Sequence, residues 1–426
     1  MDHTKTVSKP SQSGRAMLVM GLCAAFLFYK YILQNFPSVM ASQLMESFHL
    51  QGLGLGVLSG VYFWTYLIVP LFVGIILDHY GTRWVTSLAI FACALGIFVF
   101  SQAEHLNTAI IGRALTGVGV SFATIAYFKL AAVWFDKKHY ALLASFVVAA
   151  AMVGAICGQM PLAWLMQHVG WRNSLVDLAW LGVVLGLFFL IYVRDVPSTG
   201  INHAAEAQKI ADEDKRSIWQ NIMLIINNKQ NWLLTAYGGL AFSPVVIFCG
   251  LWGNPFLQQA YHLDKLTSST LISVVFVGLG IGSPVLAMVT RWMKNRCALM
   301  GYSTLISALA LTLVIYVHPL PIWMLGFLLF VFGFCLGSFS IVFVIGKESN
   351  PLYLAGTVIS LINASDAFLD AITEPLIGAV LDAVGKIAHS HEFSLFSYHL
   401  ALGILPLYQV LGAAMLKWVK DEHKAS

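Results

Sequence analysis

Ser360-Leu-Ile-Asn-Ala-Ser-Asp366-Ala-Phe-Leu-Asp370-Ala-Ile-Thr-Glu374-Pro375 lies inside an apolar run from about 353 to 381. The run is long enough to cross a bilayer as one helix, which needs about 20 mostly apolar residues. Asp366, Asp370 and Glu374 stand at i, i+4 and i+8. On a helix that spacing puts them on one stripe, drifting by about 80° over two turns. Carboxyl groups at membrane depth are expensive to hold. Their ordinary use is to face a wet cavity and handle a substrate or a proton.

Composition carries the membrane reading to the whole chain. The 426 residues are 58% hydrophobic and 10% charged, whereas a soluble domain is about 25% charged. A net charge of +4 needs no nucleic-acid partner, because the basic residues have a topological use. Twelve apolar runs are long enough to span: 17–42, 52–77, 84–102, 107–133, 140–166, 173–193, 232–258, 268–289, 297–317, 321–346, 353–381 and 395–418. The expected organisation is a tail over 1–16, a six-helix bundle over 17–193, a loop over 194–231, a second six-helix bundle over 232–418 and a tail over 419–426. In the loop, Ser217 is placed to cap an amphipathic helix carrying Ile218, Trp219, Ile222, Met223, Ile225 and Ile226.

Lysine and arginine placement sets the orientation. With the N-terminus inside, Lys5, Lys9, Arg15, Arg83, Lys137, Lys138, Arg194, Lys209, Lys215, Arg216, Lys229, Arg291, Lys294, Arg296, Lys347, Lys417, Lys420 and Lys424 are cytoplasmic. Only Arg172, Lys265 and Lys386 fall in outer loops. Both termini are therefore expected in the cytoplasm of a bacterial cell, with the protein in its inner membrane. The cysteines Cys23, Cys93, Cys157, Cys249, Cys297 and Cys335 lie in or beside apolar runs without CxxC spacing. They read as small buried hydrophobes rather than disulfides or ligands. His389, His391 and His399 cluster near the last outer loop, where solvated histidines are the ordinary reading. No metal site and no cofactor are expected.

Three basic residues fall within spans. Lys129 is close enough to the inner end of helix four to snorkel. Lys30, flanked by Tyr29 and Tyr31, is near the middle of helix one, and Arg113 is about two turns inside helix four. Each is either half of a buried ion pair or a clamp for an anionic group. Arg113 cannot release a proton; it can hold an anion or tune a nearby acid. Asp177, near the outer surface, is a weaker candidate. Gly154 and Gly158 allow close helix approach in helix five, which also carries Pro161. Helix seven, with Gly238-Gly239, Ser243-Pro244, Gly250 and Asn254-Pro255, reads as kinked or interrupted.

The segment Gly74-Ile-Ile-Leu-Asp78-His-Tyr-Gly81-Thr-Arg83, between helices two and three, resembles the G-x-x-x-D-x-x-G-x-R loop of the major facilitator superfamily. Arg113-Ala-Leu-Thr-Gly117-Val-Gly119, Gly154-Ala-Ile-Cys-Gly158-Gln-Met-Pro161 and Gly170-Trp171-Arg172 are similar to further family features. Within the family, the runs 29–40 and 250–256 look like bacterial sugar-phosphate-permease-like carriers and phagosomal nutrient transporters. The resemblance implies an all-α fold of two six-helix bundles rocking around a central site. It implies that Gly74, Asp78, Gly81 and Arg83 belong to a loop latching the halves on the cytoplasmic side. Two departures stand out. The matching second-half loop has Arg291, Lys294 and Arg296 where an acid and a glycine precede the arginine in the first half. Helix eleven carries acids where relatives are uncharged.

The resulting expectation is a secondary transporter, not an enzyme. It would move an amino acid or similar zwitterion by proton-coupled alternating access, as a monomer in the lipid bilayer. Asp366, Asp370 and Glu374, with Lys30, Arg113, Tyr29 and Tyr31, would handle substrate and proton. The alternatives are an exporter of a drug or a siderophore-like polycarboxylate, and a non-transporting membrane sensor. HExxH and GxGD are absent from the sequence, which removes the two intramembrane protease chemistries weighed against transport.

Overall fold

The computed structural model describes residues 10–135, 139–195, 218–290, 292–293, 295–351, 354–385 and 393–421. Among them, the apolar runs form twelve long helices. The first six are α1 (Pro10–Val39), α2 (Gly52–Ile68 continued by Pro70–Tyr80), α3 (Thr82–Ser101), α4 (Leu106–Trp134), α5 (Leu142–Val169) and α6 (Trp171–Tyr192). The second six are α7 (Lys229–Tyr261), α8 (Lys265–Val289), α9 (Arg296–Tyr316), α10 (Ile322–Glu348), α11 (Ala355–Val384) and α12 (Leu395–Trp418). The face where α1 begins and α12 ends is called the terminal face below, and its opposite the distal face.

Irregularities fall where the sequence forces them. Pro70 has no N–H to continue the ladder, and α2 bends by 52° there. In α5 the helix breaks at Gly158-Gln159 and restarts with Pro161 in its first turn, where a missing N–H costs nothing. The expected interruption of α7 is instead a π-helical turn, Phe248–Trp252. Gly253 donates to the Phe248 carbonyl, which leaves the Cys249 carbonyl to accept from elsewhere.

Large aliphatic and aromatic side chains from both halves, among them Phe26, Phe36, Phe100, Phe248 and Phe256, form one continuous buried cluster. Within the halves α3 packs on α4 and α6, and α8 on α10. Between them α2 packs on α11, α5 on α8, and α1 on the π turn of α7. Leu71, Ile75, Leu88, Trp180 and Trp323 remain exposed, as expected of a lipid-facing perimeter. The six cysteines are free; Cys157 is half-buried and the rest are buried. The amphipathic helix after the central loop spans Ile218–Asn227. It buries Ile225, exposes Met223, Leu224 and Ile226, and accepts a bond from Trp232 Nε1 at the Ile226 carbonyl. The Ser217 cap, Arg291, Lys294, His389 and His391 lie outside the described residues.

Candidate functional site

The site is built on α1, α2, α4, α7 and α11. Lys30 is 3% exposed. Its ammonium donates to the Tyr66 hydroxyl at 2.8 Å. It also lies 4.3 Å from the centre of the Tyr66 ring and 5.1 Å from that of Tyr31. A cation so placed is stabilised by ring faces and one neutral acceptor, which leaves two of its three N–H donors available. Its charge is felt by Asp366 of α11, in the other half. Tyr29, the preceding residue, faces elsewhere. Its hydroxyl donates to the Leu178 carbonyl of α6 at 3.0 Å, so it packs inside the first bundle. Adjacent helical residues point about 100° apart.

Arg113 is buried, and its place is explained by Pro37. A proline cannot donate, so the carbonyl four residues earlier, that of Leu33, loses its helical partner. Arg113 Nη1 donates to that carbonyl at 2.6 Å, and Nη2 to the Gln34 carbonyl at 3.2 Å. The guanidinium also stacks over Tyr62 and Phe36, at 4.5 and 4.8 Å from the ring centres. Its Nε has no hydrogen-bond partner. Arg113 therefore pins α4 to a proline-broken turn of α1 while its charge acts on Glu374.

The three acids of α11 become progressively sealed from the terminal to the distal side. Asp366 is half-buried, Asp370 is 1% exposed and Glu374 is 0% exposed. Both oxygens of Glu374, and Oδ1 of Asp366 and of Asp370, have no hydrogen-bond partner among the described residues. Asn35 and Gly250 lie beside the Glu374 carboxyl. Ser243 of α7 donates to the Asp366 carbonyl at 3.2 Å. Asp177 is exposed on α6.

Above the acids the halves close on one another. Gly52, Gly56 and Gly60 form an i, i+4, i+8 stripe on α2 that meets α11. A Cβ on Gly52 would sit 2.6 Å from the Gly378 carbonyl oxygen, and one on Gly56 would strike the backbone of Glu374 and Pro375. Further out, Asp382 at the distal end of α11 accepts from Gly52 N and Leu53 N, both at 2.8 Å. It thus caps the N-terminus of a helix in the other half. Beside this seam a buried cluster spans four helices. Asn254 donates to Ser38 and to Gln159, both at 2.8 Å, and Ser269 donates to Asn254 at 3.2 Å. Gln159 Nε2 reaches the Cys249 carbonyl freed by the π turn, at 2.8 Å.

The G-x-x-x-D-x-x-G-x-R segment is mostly helix rather than loop. Gly74 and Asp78 lie in α2, and only Gly81, at φ 84°, leaves the helical region. Asp78 pairs with Lys129 of α4 at 2.6 Å, so the Lys129 ammonium is held by an acid rather than simply snorkelling. Arg83 Nε donates to the Leu190 carbonyl at 2.7 Å. Asp195 caps α3 by accepting from Thr82 N and Arg83 N, both at 2.7 Å. These described contacts all stay within the first half. In the second half Arg296 pairs with Glu348 at 2.5 Å and Asp421 at 2.7 Å. Gly154 and Gly158 let α5 onto α1, at Phe28 and Ile32.

Tyr66, Asp382, Gln159, Ser38 and the glycine stripe were not singled out from sequence, and Asn254 was read only as part of an Asn-Pro interruption of helix seven. The stripe and the Pro37 spacing were the available signals. Uncharged polar residues within apolar runs gave none.

Twelve membrane-length helices in two groups, meeting around buried opposite charges, define a polytopic membrane protein of the transporter class. The chain belongs to the Major Facilitator Superfamily, whose family profile matches residues 18–374. It is 22% identical over 422 residues to the uncharacterized transporter YybO of Bacillus subtilis (strain 168), covering 92% of this chain and 93% of that one. It is 23% identical over 286 residues to a probable L-galactonate transporter of Escherichia coli (strain K12), covering 65% and 61%. Among solved structures, a bacterial homolog of the human lysosomal transporter Spinster, inward-facing and occupied, matches with a TM-score of 0.75 at 14% identity over 97% of both chains.

Proposed function

We propose that the protein is a proton-coupled secondary transporter of a small metabolite bearing a carboxylate and an amine, working by alternating access with the terminal face in the cytoplasm. The observation that carries this reading is a buried cation with spare N–H donors, Lys30 on α1, in one half, and unpartnered carboxyl oxygens on Asp366 and Asp370 of α11 in the other. A carboxylate can take the free N–H donors of Lys30, and an amine the unpartnered oxygens of Asp366 and Asp370. Substrate then bridges the halves, which is what alternating access requires of a binding site.

Charge balance points the same way. Two cations, Lys30 and Arg113, face three acids. When one acid is protonated the site is neutral and suits a zwitterion, which keeps the low-dielectric interior free of net charge. A second reading, a sugar acid in place of an amino acid, is favoured by the likeness to the L-galactonate transporter. Its hydroxyls would meet the same acids, Tyr31 and Tyr66.

The test is uptake into proteoliposomes under an imposed pH gradient, with a panel of amino acids, sugar acids, nucleosides and siderophores. Wild type accumulates one class, and Lys30→Met lowers its uptake at least tenfold, as expected when an ion-paired anchor worth about 1.5–3 kcal/mol is lost. Uptake that ignores the gradient, or that survives Lys30→Met, refutes the proposal.

A further inference from the structure

We propose that Glu374 is the acid that takes the coupling proton from the distal side, and that α2 and α11 close over its protonated form. This rests on the proton-coupled reading above and names which of the three acids does the work.

The geometry singles out Glu374 in three ways. First, its backbone is part of the seal. The α2 glycine stripe contacts its carbonyl, and Trp252 Nε1 of α7 donates to the same oxygen at 3.2 Å. No movement that separates α2 from α11 can leave Glu374 untouched. Second, its carboxyl is the most enclosed of the three, with both oxygens unpartnered. Third, the groups facing it make no hydrogen bond to the carboxyl among the described residues. From α1 and α2 come Asn35 and Ser59, and from α7 Gly250. Asp370, on its own helix, is a like charge. Arg113 of α4 is the one facing cation among the described residues; both of its Nη groups are committed to carbonyls of α1, which leaves only Nε without a partner.

A carboxylate without hydrogen bonds is not tolerated in such a seat, whereas a neutral acid is. Closure of the α2–α11 seam therefore selects the protonated form. Ionisation favours the open seam, where water reaches the group. The proton moves from the distal medium to a Glu374 carboxylate oxygen while the seam is open, and the seam then closes. On the terminal side, Asp370 and Asp366 follow at one helical turn each, and Asp366 keeps exposed surface. Leaving by that route, the proton passes to an ionised Asp370, then to an ionised Asp366, then to the terminal side. Each donor is left as a carboxylate ready for the next cycle.

The experiment measures the seam directly and needs no substrate. Spin labels are placed at Glu104→Cys and Phe396→Cys, exposed distal positions in different halves, and their distance distribution is recorded at about pH 5 and about pH 9, a span that brackets buried carboxyl titration. Wild type is expected to hold a short distance in acid and to populate a longer one in base. Glu374→Gln, a permanent neutral isostere, is expected to stay short at both, while Asp366→Asn keeps the response. A wild type without pH response overturns the proposal without any variant, which covers the case of a Glu374→Gln protein that does not fold. A pH response that persists in Glu374→Gln overturns it too. Proton-driven uptake by the wild type is scored separately. If uptake is proton-driven but the seam ignores pH, only this assignment falls; if neither responds, the functional reading falls with it.

Discussion

Asp382→Ala is the cleanest perturbation of the distal seam, because it leaves every proposed substrate and proton group in place. Asp382 stands eight residues beyond Glu374, roughly 12 Å further along the helix. Its two oxygens accept from Gly52 N and Leu53 N at 2.8 Å each. Both bonds cross between halves, so both exist only while the seam is closed. When it opens, water takes over on both sides. A hydrogen bond to a charged partner is worth about 1.5–3 kcal/mol net, and a half-exposed one belongs at or below the low end. Two such bonds, with the favourable placement of a carboxylate at a helix N-terminus, give about 2–3 kcal/mol in favour of closure. That converts to roughly a 30- to 150-fold shift in the closed-to-open ratio, at tenfold per 1.4 kcal/mol. Asp382→Asn keeps one acceptor oxygen and loses the charge, so it should shift the ratio by roughly the square root of that factor. The same pair of distal spin labels reads the ratio at fixed pH. An Asp382→Ala ratio within about threefold of wild type would refute the reasoning, since the two bonds would then be replaced at no cost.

Two further predictions concern groups whose partners are explicit. Tyr66→Phe removes the acceptor for Lys30 and leaves the ring, so the cation keeps its aromatic contact and loses one bond. Apparent substrate affinity should change by roughly threefold to tenfold, for a net hydrogen bond of about 1 kcal/mol, with helix content unchanged by circular dichroism; an unchanged affinity would show that the bond does not set the Lys30 pose. At the distal end of α8, Asp264 caps Leu266 N and Thr267 N at 3.0 and 3.2 Å. Hydrogen bonds from the Thr267 side chain and backbone hold its carboxyl below the usual carboxylate range. A depressed folded-state value means that the cap contributes fully above the ordinary value of 3.8 and is lost as pH falls through the lowered one. Asp264→Ala should cost about 1 kcal/mol near neutral pH and converge with wild type in strong acid, as read from melting curves across pH.

The sequence made the spans legible because bilayer thickness is a blunt requirement. Runs of about 20 apolar residues have few other uses, and apart from the start of α1, at Pro10, the helices begin and end within a few residues of the runs. The stripe of Asp366, Asp370 and Glu374 was equally legible, since it follows from helical periodicity alone. Less was legible where the partner lies on another helix. Tyr29, Lys30 and Tyr31 were grouped as neighbours, but adjacent helical positions diverge, and Tyr29 belongs to α6. Arg113 looked like an anion clamp because a buried guanidinium advertises charge; its hydrogen bonds go to carbonyls stranded by Pro37, which only the approach of α4 to α1 reveals. Gln159 and Ser38 carry no charge and barely lower local hydropathy, so a pattern read along the chain passes over them, and Asn254 stood out only through the proline that follows it. Asp382 looked like an ordinary end-of-span charge because nothing in the chain says that Gly52 will start a helix opposite it.

Three carboxylates at helix starts, taken together, locate where the molecule can move. Asp195 caps α3, and Asp421 accepts from the first residue of α9, Arg296 N, at 3.0 Å. Each ties the end of a half to an early helix of the same half, at the terminal face. These caps survive any motion of one half against the other, and they keep α3 and α9 locked to their own bundles. Asp382 does the same chemistry across the seam and so cannot survive that motion. The buried Gln159–Asn254–Ser38 cluster is likewise shared between halves. The polar bonds that must break on opening are thus concentrated at the distal side, directly above Glu374. On the proposal above, the gain or loss of one proton at Glu374 acts on the same seam as these bonds. A proton shifts the equilibrium only by its differential affinity for the open and closed states, and the group proposed to take it stands about two turns from the cap that locks the seam, within one stretch of α11.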